Sequence, residues 1–385
     1  MIVLLLSFTS NLNRDLWMFQ NARFDSTTGQ YYYRMRDGST VFFTVDPNLQ
    51  RMLNTLLATY PKEYEGLALI DATSGRILAI GGRYGGSPSL RSFKMNDYPA
   101  ASIFKVITSI AAMEMLGIEP EDSLEFCGPI YRRRPKRWLH CTKDTLPKTT
   151  FSLAFGRSMN PVFGRLATRL GKGPIMDVAS RFYFNDTLLG LRMGYVPWDS
   201  IRTEEDLALL GSGFAYSYLN PVQAILIGEA MATGLVWRPY LVDRVEKNGE
   251  VVYRGAPSLL SVPFKEGVLR RLREMARATV DSGTVRKIFY GRDGSPMLPV
   301  SVGGKTGTLT SRKYRALTEW FVGFAPVERP EVVVVAFSMD GAFYNVKTPY
   351  LAMRILQGYF VGKFEGKPIS YKRYRRRRHR RRGGG

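Results

Sequence analysis

The sequence predicts a mixed α/β (α+β) fold: a mainly antiparallel five-stranded sheet covered by helices, with a helical subdomain inserted between its early and late strands. Three observations carry this expectation. Two apolar strands flank a Thr-Ser-Gly turn in "GLALIDATSGRILAIGG" (66–82), helical-period stretches fill the span from 100 to 240, and three β-rich runs with a closing helix follow residue 300. One sheet is thus assembled from both ends of the chain.

Residues 1–40 read as a leader and linker, with an apolar start, "MIVLLLSF", followed by the turn-like "DSTTGQ" and "RDGST". The apolar start is shorter than the ~20 residues that cross a bilayer. No basic residues precede it, so it is expected to be at most part of a membrane anchor. "VFFTVDPNLQRMLNTLLATY" gives a short strand, an Asp-Pro break and an amphipathic helix with Leu49, Leu53, Leu56 and Leu57 on one stripe. The 66–82 hairpin comes next. "SIFKVITSIAAMEML", "NPVFGRLATRL" and "NPVQAILIGEAMATG" are helices separated by glycine-containing loops. "RVEKNGEVVYRG" is a hairpin, and "GVLRRLREMARATV" is an amphipathic helix. "PVSVGGKTGTLTS", "EWFVGFAP" and "EVVVVAFSMDG" return to strand, the last two joined by "VERP", before the helix "TPYLAMRILQGYF". The expected organisation is a leader at 1–40, one domain at 41–368 and a basic tail at 369–385, with no internal repeat.

At 385 residues, 45% hydrophobic and 23% charged, the composition supports a sizeable core and excludes wholesale disorder. The net charge of +22 is unevenly placed, in "YKRYRRRRHRRRGGG" (371–385) and "YRRRPKRW" (131–138). Such runs are ordinarily solvated. Their functional reading is attraction to a polyanion, either an anionic membrane, the phosphates of a lipid-linked precursor, or nucleic acid. No nucleic-acid-binding module stands beside the tail. Cys127 and Cys141 bracket the internal basic cluster. A zinc site would take about four ligands and only His140 is near, whereas a disulfide closing a local loop fits an oxidising compartment. No metal or other cofactor is expected.

The chemistry starts at "DYPAASIFKVITSIAAMEMLG" (97–117), where Ser102 and Lys105 stand three apart at the start of an otherwise apolar helix. That spacing puts both side chains on one face. A serine hydroxyl needs a base, and burial or a neighbouring cation lowers a lysine pKa enough to supply one. Alone, the pair also reads as a snorkelling lysine beside a serine. "GRSMNPVF" supplies Ser158 and Asn160 before a helix, where Ser158 also reads as an N-cap. "VGGKTGTLTS" places Lys305, Thr306, Gly307 and Thr308 on a strand whose glycines admit a close ligand, or which is simply an exposed edge. A Ser-His-Asp arrangement needs a histidine base. The chain has only His140, beside a cysteine, and His379, inside the tail.

Ser-x-x-Lys, Ser-x-Asn and Lys-Thr-Gly, in this order, resemble the motifs of the penicillin-recognising serine enzymes, and over about residues 41–362 the chain resembles the D,D-transpeptidase domain of penicillin-binding proteins. "VFFTVDPNLQ", "ALIDATSGRILAIGG", "LNPVQAILIGEAMATG" and "EWFVGFAPVERPEVVVVAFSMD" extend the likeness.

The resemblance implies a catalytic set in which Ser102 attacks the carbonyl between the terminal D-alanines of a peptidoglycan stem peptide and Lys105 takes its proton. Ser158 would pass the proton to the leaving D-alanine. Asn160 would hold the substrate and brace Lys105. The backbone N–H groups of Ser102 and Thr308 would form the oxyanion hole, and Lys305, Thr306, Gly307 and Thr308 would bind the substrate carboxylate. It also implies inhibition by β-lactams, a glycosyltransferase partner, and a place at the outer face of the cytoplasmic membrane or in the periplasm of a bacterium.

Two positions depart from the family pattern: Ala100 and Ala101 stand where many members have Pro-Gly, and Asn220 where the later helix usually begins with threonine. A β-lactamase or a D,D-carboxypeptidase shares the motifs. The first would need a water-activating group, for which Glu204 and Glu205 are candidates, although they also read as an acidic first helical turn. A non-catalytic β-lactam sensor or cell-wall scaffold is the alternative outside enzymes.

Overall fold

The structure, a computed structural model, describes residues 11–142, 145–311, 315–341 and 346–362. The apolar start and the arginine-rich tail lie outside the described residues.

The hairpin at 66–82 forms as β1 (Tyr64–Asp71) and β2 (Ile77–Tyr84). The late runs form β3 (Gly303–Ser311), β4 (Ala316–Ala325) and β5 (Val332–Asp340). All pairings are antiparallel, in the order β3-β4-β5-β1-β2, so the last strand of this sheet in sequence lies beside its first. A two-residue strand, Ser87–Pro88, adds a sixth at the β2 edge. Its brevity left no alternation to read in the sequence.

Both sheet faces are covered, so β5 is apolar without alternation, from Val332 to Phe337. On one face lie α1 (Pro47–Thr59), capped by Asp46, whose carboxylate accepts from the Asn48 and Leu49 N–H groups, and the closing helix, residues Thr348–Val361. On the other lies the helical subdomain. Its first helix, α2 (Lys105–Leu116), ends at Gly117, whose φ of 64° supplies the left-handed stop. Further along come α3 (Asn160–Leu170), α4 (Glu204–Gly211), α5 (Pro221–Thr233) and α6 (Val268–Asp281).

Helix α5 is buried on every side except at its last residue, wedged between the sheet and α6. Gly228 lets it approach the strands: a Cβ there would stand 2.5 Å from Val333 Cγ1. The departure at Asn220 has a local explanation. As the α5 N-cap its Oδ1 accepts from the Val222 N–H at 2.7 Å, as a threonine hydroxyl would, and its amide also donates to Phe93 O and Met95 O.

The reading of residues 1–40 as a linker gives way from Asn11 onward. Leu12–Gln20 is a helix whose Leu12, Leu16 and Phe19 enter the main core, and Arg23–Asp25, Gln30–Arg34 and Thr40–Phe43 are strands. They pair with one another and, through Thr40–Phe43, with the hairpin Val242–Lys247 and Glu250–Arg254. Their partner lies 200 residues downstream, which short strands between turn signals do not advertise. The spacing of Leu12, Leu16 and Phe19 was the available clue.

Candidate active site

Ser102 lies in a single 3-10 turn, Ala101–Phe104, which runs directly into α2 at Lys105. The pair therefore straddles the junction of two helix types rather than sharing one α-helix. Lys105 is fully buried. Its Nζ lies 2.7 Å from Ser102 Oγ, 2.8 Å from Asn160 Oδ1 and 2.5 Å from the Ser212 carbonyl. Burial, and then the nearby Lys305, holds its pKa well below that of an ordinary lysine.

The partners of Lys105 show what this does to the proton. A neutral amine has two N–H bonds and one lone pair. Asn160 Oδ1 and Ser212 O can only accept, so they take the two N–H groups. The lone pair is left facing the one partner that can donate, the Ser102 hydroxyl. The arrangement is that of a base poised on a nucleophile.

A second pair stands opposite. Lys305, on edge strand β3, is also fully buried, and its Nζ donates to Ser158 Oγ at 3.2 Å and to its neighbour's carbonyl, Thr306 O, at 3.1 Å. Burial lowers its pKa to about 7. Ser158 is not an N-cap: that position is Met159, and Asn160 is the first residue of α3. Ser158 instead holds a φ of 55°, a left-handed conformation that turns the chain into the cleft. The hydroxyls of Thr306 and Thr284 share a hydrogen bond of 2.7 Å. Gly307 sits against Ala100 O and Ala101 Cβ, where an added Cβ would come within 3.1 Å and 3.2 Å, so its bare backbone seats β3 on the turn that carries Ser102.

A cleft of about 410 Å³ joins these groups, lined by Ser102, Ser158, Asn160, Thr306 and Thr308. The sequence did not single out the residues that complete it: Tyr131, Ser212–Phe214, Thr284, Glu319 and Lys347. They carry no motif and reach the cleft from distant segments. Glu319 stands across from Thr308 in the β3–β4 register and accepts from the N–H of Thr348 at 3.2 Å, at the head of the closing helix. Among the described residues, no three His, Cys, Asp or Glu side chains gather as a metal site. His140 lines a separate surface cleft, and His379 lies outside the described residues.

The two buried lysines oppose folding at neutral pH. Lys305 titrates near 7 when folded and near 10.5 when unfolded, so between those values the unfolded chain holds more protons and stability rises with pH. The urea midpoint is expected to climb from pH 7 to pH 10, and Lys305→Met to flatten that climb. An unchanged slope in the variant would contradict it.

The sequence profile of the penicillin-binding protein transpeptidase domain matches residues 66–353. The chain belongs to this family. Among curated relatives it is 26% identical to peptidoglycan D,D-transpeptidase PbpA of Mycolicibacterium smegmatis over 274 residues, 66% of this chain and 52% of the relative. The Mycobacterium tuberculosis PbpA is 24% identical over 272 residues. The chain spans about half the length of these relatives. Among solved structures, the D,D-transpeptidase domain of a peptidoglycan glycosyltransferase from Eggerthella lenta superposes with a TM-score of 0.69 at 19% identity, covering 91% of each chain. The imipenem acyl-enzyme complex of M. tuberculosis penicillin-binding protein A gives 0.68 at 18% identity, covering 84% of this chain and 80% of that one. At these identities the superpositions establish the transpeptidase-domain fold.

Against the transpeptidase pattern, the Ala100–Ala101 departure has a physical consequence. Ala101 takes a φ of 48°, where glycine is at ease and alanine pays roughly 1–2 kcal/mol. Ala101→Gly relaxes that strain just before Ser102 and is expected to raise the melting temperature; a lower one would show that the alanine methyl is needed for packing against Gly307.

Proposed function

We propose that the protein is a serine D,D-transpeptidase that crosslinks peptidoglycan stem peptides through an acyl-enzyme on Ser102 and is inhibited by β-lactams. The observation that carries this is the Lys105 site, where two acceptor-only partners leave the amine lone pair for the Ser102 hydroxyl.

In the proposed first step Ser102 Oγ attacks the carbonyl between the terminal D-alanines while its proton moves to Lys105 Nζ. The backbone N–H groups of Ser102 and Thr308 stabilise the oxyanion. Lys305, Thr306 and Thr308 on β3, with Gly307 giving close approach, bind the terminal carboxylate; the incoming anion also favours protonated Lys305. Collapse breaks the C–N bond, and the leaving D-alanine amine takes a proton from Ser158, whose oxygen is replenished through the lysines. Asn160 braces Lys105 and faces the peptide. The amine of a second stem peptide then attacks the ester, Lys105 accepting its proton as Ser102 regains its own.

The β-lactamase reading is weaker because its candidate water-activating groups are elsewhere. Glu204 and Glu205 form the acidic first turn of α4, capped by Thr203 and Asp206. Glu204 lines the separate surface cleft, and Glu205 pairs with Lys136 at 3.8 Å.

A glycosyltransferase partner would supply the glycan strands, and the activity places the domain outside the cytoplasmic membrane. No helix among the described residues is long and apolar enough to cross a membrane. Cys127 and Cys141 are disulfide-bonded, which accords with an oxidising compartment. The basic tail at 369–385 would hold the chain near anionic lipid or lipid-linked phosphate.

Incubation with a labelled penicillin, followed by intact mass and peptide mapping, tests the reading. A long-lived adduct on Ser102 that is absent in Ser102→Ala is expected. An adduct cleared within seconds would point to a β-lactamase, and no adduct to a scaffold.

A further inference from the structure

The basic segment 131–138, which reads in the sequence as a solvated run, joins the cleft wall at its first residue, Tyr131. The Cys127–Cys141 disulfide closes its base. Trp138 is fully buried beneath it, donating from its indole to Pro129 O at 3.1 Å and lying 5.9 Å from the Phe214 ring. Phe214 lines the cleft and follows the Ser212–Gly213 turn that holds Lys105. The backbone N–H of Asn160 donates to Ile130 O at 3.3 Å, and the next residue, Tyr131, lines the cleft beside Ser102. The loop is therefore fastened on one side beside the turn that holds Lys105 and on the other to Asn160.

From this fixed base Arg132, Arg133, Arg134 and Arg137 project, all exposed. None of them forms an ion pair with an acidic side chain among the described residues; the one pair on the segment is Lys136–Glu205. Asp206, in the first turn of α4, is engaged by the Tyr216 hydroxyl and the Thr203 cap. Exposed guanidinium groups without an ion pair, directly following the cleft-lining Tyr131 on an anchored backbone, suit carboxylates, which they can grip bidentately.

The two walls of the cleft then divide the labour. In the proposed reaction β3 takes the terminal carboxylate, so the peptide upstream of the reactive carbonyl leaves along the opposite wall, past Asn160 and Tyr131. We propose that the disulfide-closed loop is a carboxylate-binding ledge, in which Arg132–Arg134 engage an acidic side chain or free α-carboxylate of the donor peptide upstream of the bond that Ser102 attacks. This rests on the transpeptidase reading and extends it to substrate choice: a donor with a free upstream carboxylate is preferred to its carboxamide form.

The test uses two synthetic peptide thioesters that share a terminal carboxylate and differ only in glutamate or glutamine upstream of the reactive carbonyl. The readout is the ratio of their kcat/KM values in the wild type, in Arg132→Gln/Arg133→Gln/Arg134→Gln, and in the matching triple lysine variant. The wild type is expected to favour the glutamate peptide about tenfold at low salt, as a few partly screened charge contacts supply. The ratio should fall toward one in the glutamine variant and in about 0.5 M salt, and be partly restored by lysine. A wild-type ratio of one, or a ratio unchanged by the glutamine substitutions, would overturn the ledge. So would a variant that keeps the ratio but no longer co-sediments with anionic phospholipid vesicles, which would make the strip a membrane-facing surface. Failure of both peptides to acylate the wild type would instead count against the transpeptidase reading itself.

Discussion

Lys105→Met is expected to lower the rate of penicillin acylation by about 10³-fold or more, toward the upper end of what a positioned base contributes. The same substitution should raise thermal stability near pH 7. The folded lysine pKa is depressed by burial and by the nearby Lys305, so below the unfolded value the native site binds its proton more weakly than the unfolded chain does, and removing the amine removes that penalty. Methionine fills similar volume beside the Phe163 ring, 5.5 Å from the lysine Nζ, without an amine to desolvate. Loss of activity with gain of stability is the signature of a functional buried charge. A variant that lost both would mark Lys105 as a structural pillar, and one that kept its acylation rate would remove it from the chemistry.

Gly213→Ala is the second large effect. Gly213 has a φ of 72°, and a Cβ there would lie 2.0 Å from Ala101 O and 3.1 Å from Ser102 N. Neither neighbour is a flexible side-chain end, so the nucleophile turn itself must shift. Acylation is expected to fall at least about 100-fold, since displacement on the order of 1 Å disrupts near-attack geometry. Destabilisation of about 1–3 kcal/mol should accompany it from the backbone strain alone. Gly249→Ala is the control: its φ of 83° imposes a similar strain in a remote hairpin with nothing within 4 Å. It should lose stability and keep its acylation rate. If both variants acylate normally, the close packing of the 212–214 turn on Ser102 does not hold the nucleophile in place.

The parts of this site that were legible in the sequence are those whose chemistry depends on spacing. Ser102 and Lys105 are neighbours along one helical path, and Lys305 to Thr308 are neighbours along one strand, so local geometry brings them together. The order of the three motifs then indicated which distant segments meet. What stayed hidden is what acts through backbone or through packing between segments. Ser212 contributes a carbonyl and Gly213 the lack of a side chain. Neither has a sequence signature of its own. Ser158 drew attention through the Ser-x-Asn pattern, and the structure adds that a left-handed backbone, with Met159 taking the capping position, brings its hydroxyl to Lys305.

The fold shows the same division. The 66–82 hairpin, the late strands and their helices announce themselves by period and turn chemistry, and both sheet faces being covered explains the unbroken valines of β5. The small sheet that takes up residues 23–43 depends on Val242–Lys247 and could not be inferred from short strands taken singly. The basic loop at 131–138 looked like a solvated run because its anchors, Trp138 under Phe214 and Asn160 on Ile130, come from other segments.

The central claim is that Lys105 is a neutral base on Ser102, and the pH dependence of the acylation rate at saturating penicillin tests it most directly. That rate reports the ionisation of the base in the bound complex. It is expected to rise through a single ionisation well below the ordinary lysine value of ~10.4 and then stay level to pH 9. A rate that keeps climbing tenfold per pH unit beyond pH 9 would mean that Lys105 is protonated at neutral pH, and would contradict the account.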